Sequence, residues 1–143
     1  MARMVQQIIL LSFLFASVFA APSFTSVSVT GANGFQIVYN ETISAPHVNS
    51  NNGKDQYTVK IDDSAETIVS ISISSNTVSF VTTSTITAEK VVKVNYTSSG
   101  NSTEKIKSAV GSGFAGNIPE QVVANTIAPV KESIQVTGPK EIT

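Results

Sequence analysis

The sequence has 143 residues, of which 41% are hydrophobic and 13% charged, and its formal net charge at pH 7 is −1. It contains no cysteine, which excludes disulfides, thiol catalysis and zinc–thiolate sites. Arg3 is the only arginine and no basic cluster is present. The charge pattern therefore argues against nucleic-acid binding and against attraction to an anionic membrane surface.

The first twenty residues have the features of a secretory signal peptide. Arg3 provides a positive start, residues 8–19 are an apolar run, and residues 17–20 end in the small-residue pattern that a signal peptidase accepts. The apolar run is shorter than the ~20 residues that a membrane span needs, although an uncleaved anchor is the alternative. We predict residues 1–20 as signal peptide, a mature chain of 123 residues beginning at Ala21, and no membrane insertion after cleavage.

The first strands of the mature chain follow from alternating hydrophobic residues. Residues 24–30, 35–40 and 57–61 each alternate, and Phe35, Ile37 and Tyr39 share one face of the second strand. Residues 45–55 are rich in Asn, Ser, Pro and Gly and are predicted as a loop. Residues 62–64 are predicted as a turn.

The clearest pattern is a predicted hairpin of residues 69–74 and 77–82. In the first of these strands every second residue is a serine. Ser75-Asn76 is predicted as its turn, because Asn76 tolerates positive φ better than most residues do. The side chains predicted to face the core are Val69, Ile71, Ile73, Val78 and Phe80.

The remaining chain supplies two more predicted strands. Residues 91–96 place Val92, Val94 and Tyr96 on one face, and residues 122–127 form the last strand. Residues 100–121 are rich in glycine and are predicted as an irregular crossing with one helical turn near 104–109. About seven short strands predict an all-β fold, an immunoglobulin-like antiparallel β-sandwich over residues 21–127, with a small β-barrel as the alternative.

The C-terminal segment, residues 128–143, resembles the start of the mature chain. Aligned without gaps at an offset of 107 residues, positions 128–138 match positions 21–31 at six of eleven residues. Self-similarity at a fixed period is typical of tandem arrays. We predict that this segment corresponds to the first strand of a second repeat, and that it can add as a strand to a neighbouring molecule; chance similarity is the alternative.

The order of these features resembles the SwmB-type repeat, an immunoglobulin-like module of bacterial surface proteins. The matching segments are residues 35–43, 57–61, 69–82, 93–97, 115–117 and 122–125. This sequence departs from the family at Ser108, near the position of an acidic residue in the family, and adds residues 110–114. The resemblance implies a secreted surface or matrix module and implies no catalytic site or cofactor.

The polar residues predict no enzyme. His47, the only histidine, lies in a polar loop, where a solvated side chain is the expected role rather than general base. Asp55, Asp62, Asp63 and Glu66 form the densest acidic patch, but without the ligand spacing of a calcium loop. We therefore predict no catalytic, metal or cofactor site.

Sugar binding and glycosylation give weaker signals. The chain has no tryptophan, and its three tyrosines, Tyr39, Tyr57 and Tyr96, are predicted in the core with hydroxyls at its edge, which disfavours stacking on a sugar. Three sequons make Asn40, Asn95 and Asn101 possible N-glycosylation sites. Three sequons is about the number that chance predicts from this composition.

The sequence as a whole predicts a secreted, non-enzymatic module at a cell surface or in an extracellular matrix. Its role would be structural or adhesive, and its partners other extracellular or surface proteins, including copies of itself. The alternative is an extracellular carbohydrate- or calcium-binding module.

Overall fold

The structure, a computed structural model, describes residues 20–44, 53–98 and 105–130. The predicted signal peptide, His47, Asn101 and residues 131–143 lie outside the described residues. The described chain folds into ten strands and one short 3-10 helix, Lys54–Gln56. The strands are β1 (Phe24–Gly31), β2 (Gly34–Tyr39), β3 (Ile43–Ser44), β4 (Tyr57–Ile61), β5 (Ser64–Glu66), β6 (Ile68–Ser74), β7 (Thr77–Thr82), β8 (Val92–Tyr96), β9 (Lys107–Ser108) and β10 (Ile118–Val122).

Two four-stranded sheets form the layers of the molecule. The first has the order β1-β2-β7-β6 and the second β10-β8-β4-β5, while β3 and β9 form a separate two-stranded pair. Every pair of neighbouring strands is antiparallel. The prediction of an all-β sandwich is confirmed.

The core lies between the two sheets and is built from the alternating hydrophobic residues. Phe35 and Phe80 are stacked with ring centroids 4.5 Å apart, and Tyr57 packs against Phe80 with its ring edge. The most deeply buried side chains include Tyr39, Tyr96, Phe35, Phe80, Ile37, Ile86, Ile106, Val59, Val78, Val92 and Val94. Because these residues alternate with polar ones, each strand presents one apolar face inward.

Six of the seven predicted strands are confirmed, but the inward face of β6 is wrong at its start. Ile68 is buried and Val69 is 53% exposed, the reverse of the prediction. The pairing of β6 with β7 shifts register between Ile68 and Ser70. Because a β-bulge inserts one extra residue, it reverses the alternation, after which Ile71 and Ile73 pack against the core as predicted.

Two of the hairpin turns depend on non-glycine residues with positive φ. In the turn between β6 and β7 the positive φ, 54°, is at Ser75 and not at Asn76. Asn76 instead donates its side-chain amide to the carbonyl of Tyr39 at 2.9 Å. In the predicted turn after β4, Asp62 and Asp63 both have positive φ, which matches the right-handed twist of the hairpin that joins β4 to the unpredicted β5.

The region after β8 differs most from prediction. The described part of the expected helical turn, residues 105–109, contains β9 instead of a helix. The last strand is Ile118–Val122 rather than residues 122–127. The sequence did not predict this strand because it contains Pro119, and proline is tolerated in a sheet mainly at an edge. β10 is an edge strand, so the proline fits there.

Candidate interaction surfaces

The two ends of β1 define two ends of the sandwich. Phe24 pairs with Tyr39 at the start of β1, and Gly31 pairs with Gly34 at its finish. The chain after β10 runs parallel to β1, since the amide of Val29 donates to the carbonyl of Ala124 at 2.9 Å. The described chain therefore begins at one end, the N-terminal end, and finishes at the opposite one, the C-terminal end.

The N-terminal end consists of residues 20–23 and the hairpin of residues 106–115. The amide of Ser108 donates to the carbonyl of Gly113, and that of Ala115 to Ile106, so the chain reverses between them. Val110 at the tip of this hairpin is 71% exposed, and Phe114 is 39% exposed. The Nζ of Lys105 lies 5.5 Å from the centroid of the Phe114 ring.

The C-terminal end carries a largely apolar pocket of about 430 Å³. Asn125 fixes its wall by donating its side-chain amide to the carbonyls of Thr87 at 2.7 Å and Lys90 at 3.0 Å. Val130, 91% exposed, lies at its rim. The lining residues are Ala32, Thr85, Ile86, Thr87, Ala88, Glu89, Ile127, Ala128 and Val130.

Charged side chains lie at both ends. The C-terminal end carries Asp62, Asp63, Glu66, Glu89, Lys90 and Lys93. At the N-terminal end, the described charged side chains include Lys105, Lys107 and Glu41, which accepts a hydrogen bond from Ser108 at 2.7 Å.

The carboxylates at the C-terminal end are held by specific partners. Asp62 pairs with Lys90 at 2.5 Å and also accepts the amide of Val91, and both interactions lower its pKa. Lys93, 2.6 Å away, lowers the pKa of Asp63. The backbone amide of Ser84 lowers the pKa of Glu66. These contacts fix the turn and its neighbouring loop.

The acidic patch of the sequence does not form a metal site. Asp55 lies in the 3-10 helix before β4, whereas Asp62 and Asp63 follow that strand. Within the described ranges, no three His, Asp or Glu side chains lie close enough together to hold a metal ion. Asp62 and Asp63 instead form ion pairs with lysines.

The three tyrosines lie in the core as predicted, but two of the hydroxyls do not reach its edge. The hydroxyls of Tyr39 and Tyr57 are buried near each other without forming a hydrogen bond of good geometry. Burial raises the pKa of both, and neighbouring tyrosines raise that of Tyr57 further. The Tyr96 hydroxyl accepts the amide of Ile106 at 3.2 Å. None of the three offers an open ring for a sugar.

The predicted glycosylation sites differ in exposure. Asn40 is exposed, and its side-chain oxygen accepts the backbone amide of Ser23 at 2.8 Å. Asn95 is half-buried and lines an open groove with Thr58, Thr97 and Asn117. Glycosylation at these two sites and at Asn101 stays a prediction.

No protein-family model and no curated protein matches the sequence. Solved structures do match. The crystal structure of the N-terminal part of the bacterial S-layer protein SbsC is similar with a TM-score of 0.54 and 14% identity, over 73% of this chain and 24% of that one. The S-layer protein rSbsC(31-844) has a TM-score of 0.55 and 14% identity, over 80% of this chain and 15% of that one.

A third structure, surface layer protein SbsC, domains 1-6, has a TM-score of 0.54 and 16% identity, again over 80% and 15% of the two chains. At this identity the likeness shows a shared fold. This chain spans a quarter or less of each of those chains. Across residues 20–44, 53–98 and 105–130, no helix has the length and apolar character to cross a membrane.

The sequence did not identify the surfaces at the two ends. Val110 and Phe114 fall in a glycine-rich stretch that was interpreted as irregular. Two hydrophobic residues separated by Gly111 and Gly113 were the available signal of an exposed hairpin tip. The C-terminal pocket had no sequence signal, because its residues come from three separate segments.

Proposed function

We propose that this chain is a secreted, non-enzymatic structural module of a cell-surface layer or extracellular matrix, arranged end to end with other protein modules. Membership of the SwmB-type repeats is part of the same proposal, supported by the matching segments of the sequence. The similar structures belong to S-layer proteins, one of them described by its domains 1-6, and they support the proposal through a shared fold.

One observation carries the proposal: the described chain begins at one end of the sandwich and finishes at the other. The carbonyl of Ala124 beside β1 establishes that direction. A module with its two connections at opposite ends transmits tension along its length and can be repeated without reversing the chain. The exposed hydrophobic side chains at the N-terminal end and the apolar pocket at the C-terminal end suit contacts with adjoining modules.

The other described features fit a scaffold better than a catalyst. The carboxylates of Asp62 and Asp63 at the C-terminal end pair with lysines, and the groove lined by Asn95 is open to solvent. No observation in the described part of the chain favours the alternative of a sugar- or calcium-binding module.

The location is tested on cells that produce the protein. Antibody against the mature chain should label intact cells, and an external protease should remove the label while a cytoplasmic marker survives. N-terminal sequencing of the extracted protein should begin at Ala21. Label that becomes accessible only after lysis would contradict the proposal.

A further inference from the structure

We propose that residues 128–138 are a second, functional copy of the first strand, and that they pair with β2 of another module of this fold in the position of β1. This inference deepens the proposed end-to-end arrangement and rests on it. The partner is therefore a second module of the same fold.

The similarity between the two segments is concentrated at positions that the structure constrains. Pro22, Val27 and Val29 are buried, and Ala21 lies against Gly113. Each has an identical or similar counterpart in the C-terminal segment. The equivalent pairs are Ala21 and Ala128, Pro22 and Pro129, Val27 and Ile134, and Val29 and Val136.

The polar positions correspond as well. Ser26 and Thr30 are exposed and Ser28 is half-buried on the outer face of the first sheet. Their counterparts are Ser133, Thr137 and Gln135. An added strand must present its hydrophobic residues to the core and its polar residues to water, and a shift of one residue would reverse the two. Residues 128–138 satisfy this requirement in the register of β1.

The main difference is at Phe24, whose counterpart is Lys131. Phe24 is only partly buried at the edge of the core. The alkyl part of a lysine can cover such an edge while its ammonium group stays in water. We therefore expect a strand that is weaker than β1 but functional.

The geometry excludes the chain's own module as the partner. In the register of β1, Lys131 would lie opposite Tyr39 at the N-terminal end. Val130 lies at the C-terminal pocket, beyond the far end of β1. Seven residue steps along a strand span about 23 Å, whereas consecutive Cα atoms are about 3.8 Å apart. Residues 130 and 131 of one chain cannot occupy both places.

A five-residue variant of the mature chain tests the proposal. Ser23→Val, Phe24→Lys, Thr25→Glu, Val27→Ile and Ser28→Gln convert residues 21–31 into the sequence of residues 128–138. We expect this variant to unfold cooperatively, at a lower temperature than wild type, and to keep the dispersed NMR spectrum of a β-sandwich. The matched control carries the other four substitutions together with Val27→Asp. It should not fold, because it places a charge at a buried position. A five-residue variant that does not fold, where wild type does, would overturn the proposal.

Sedimentation of the wild-type mature chain over a wide concentration range distinguishes the two sources of the second module. Oligomers that disappear in the Ile134→Asp variant identify a neighbouring chain. A monomer at all concentrations would exclude a neighbouring copy of this chain as the source of that module. Both measurements use purified protein. They can therefore contradict the strand proposal even where the protein is found at the cell surface, and support it where the protein is not found there.

Discussion

Gly113 and Ala21 lie so close that a Cβ atom added to Gly113 would be 2.8 Å from the Cα of Ala21. The same atom would be 3.2 Å from the carbonyl oxygen of Ala20. Glycine is therefore what allows residues 20 and 21 to lie against the hairpin of residues 106–115. This contact joins the two segments that form the N-terminal end of the sandwich.

The Gly113→Ala variant should be less stable than wild type by about 1–3 kcal/mol, because the added methyl group meets backbone that cannot move aside freely. Gly116→Ala is the matched control, since nothing lies within 4 Å of a Cβ at that position. It should be neutral or stabilising by up to about 1 kcal/mol. Urea unfolding measures both, and equal midpoints for the two variants would contradict the proposed contact.

Two buried tyrosines should respond in opposite ways to loss of the hydroxyl. The Tyr57 hydroxyl is buried without a hydrogen bond, so Tyr57→Phe should leave stability unchanged or raise it by up to about 1 kcal/mol. Tyr96→Phe removes the acceptor of the Ile106 amide and should lower stability by about 1–2 kcal/mol. Thermal unfolding of the two variants distinguishes them, and a larger loss in Tyr57→Phe would show that its hydroxyl has a partner.

The ion pairs at the C-terminal end predict acid sensitivity. Folding lowers the pKa of Asp62 and Asp63, so the unfolded chain binds protons more tightly than the folded one. The resulting stability is present above the ordinary aspartate pKa of 3.8 and is lost as the pH falls through the lower folded values.

Urea midpoints from pH 7 to pH 2 measure this loss. The Asp62→Asn and Asp63→Asn double variant should show a shallower decline below pH 4, because asparagine keeps the positive φ and removes the charge. A double variant with the same pH profile as wild type would assign the acid sensitivity to other carboxylates.

Regular alternation made much of the fold predictable from sequence. Phe35, Ile37, Val78 and Phe80 are buried as their patterns predict, since each lies in a strand without register shifts at that point. The prediction failed at Ile68 and Val69, where a bulge reverses the alternation. A bulge depends on the partner strand, and the local sequence does not reveal it.

This reversal can be measured directly. Ile68→Ala should lower stability by about 2–4 kcal/mol, because it removes most of a buried side chain. Val69→Ala should change stability by less than about 0.5 kcal/mol, since its side chain is largely exposed. Chemical denaturation of the two variants measures both losses of stability. A larger loss in Val69→Ala than in Ile68→Ala would show that Val69 faces the core, as uninterrupted alternation predicts.

The surfaces at the two ends were less predictable because they join segments that are distant in sequence. Ala21 meets Gly113 across more than ninety residues, and the C-terminal pocket joins Ala32 to Ile86 and Ile127. Periodicity reports which face of one strand is buried. It contains no information on which loops meet at the end of a sandwich.

A two-module protein tests whether those ends meet. This protein joins residues 21–138 directly to residues 32–143, which gives two modules. Residues 128–138 take the place of residues 21–31 and serve as the first strand of the second module. If the hairpin tip of the second module packs on the pocket of the first, the pair should melt several degrees above the single five-residue variant described above, because each module gains an interface.

Val110→Ser with Phe114→Ser in the second module should remove that gain. The same two substitutions in the first module, whose N-terminal end is free, are the control and should preserve it. Calorimetry measures the three two-module proteins beside the single five-residue variant, and an unsubstituted pair that melts as two independent modules would contradict the contact between the ends.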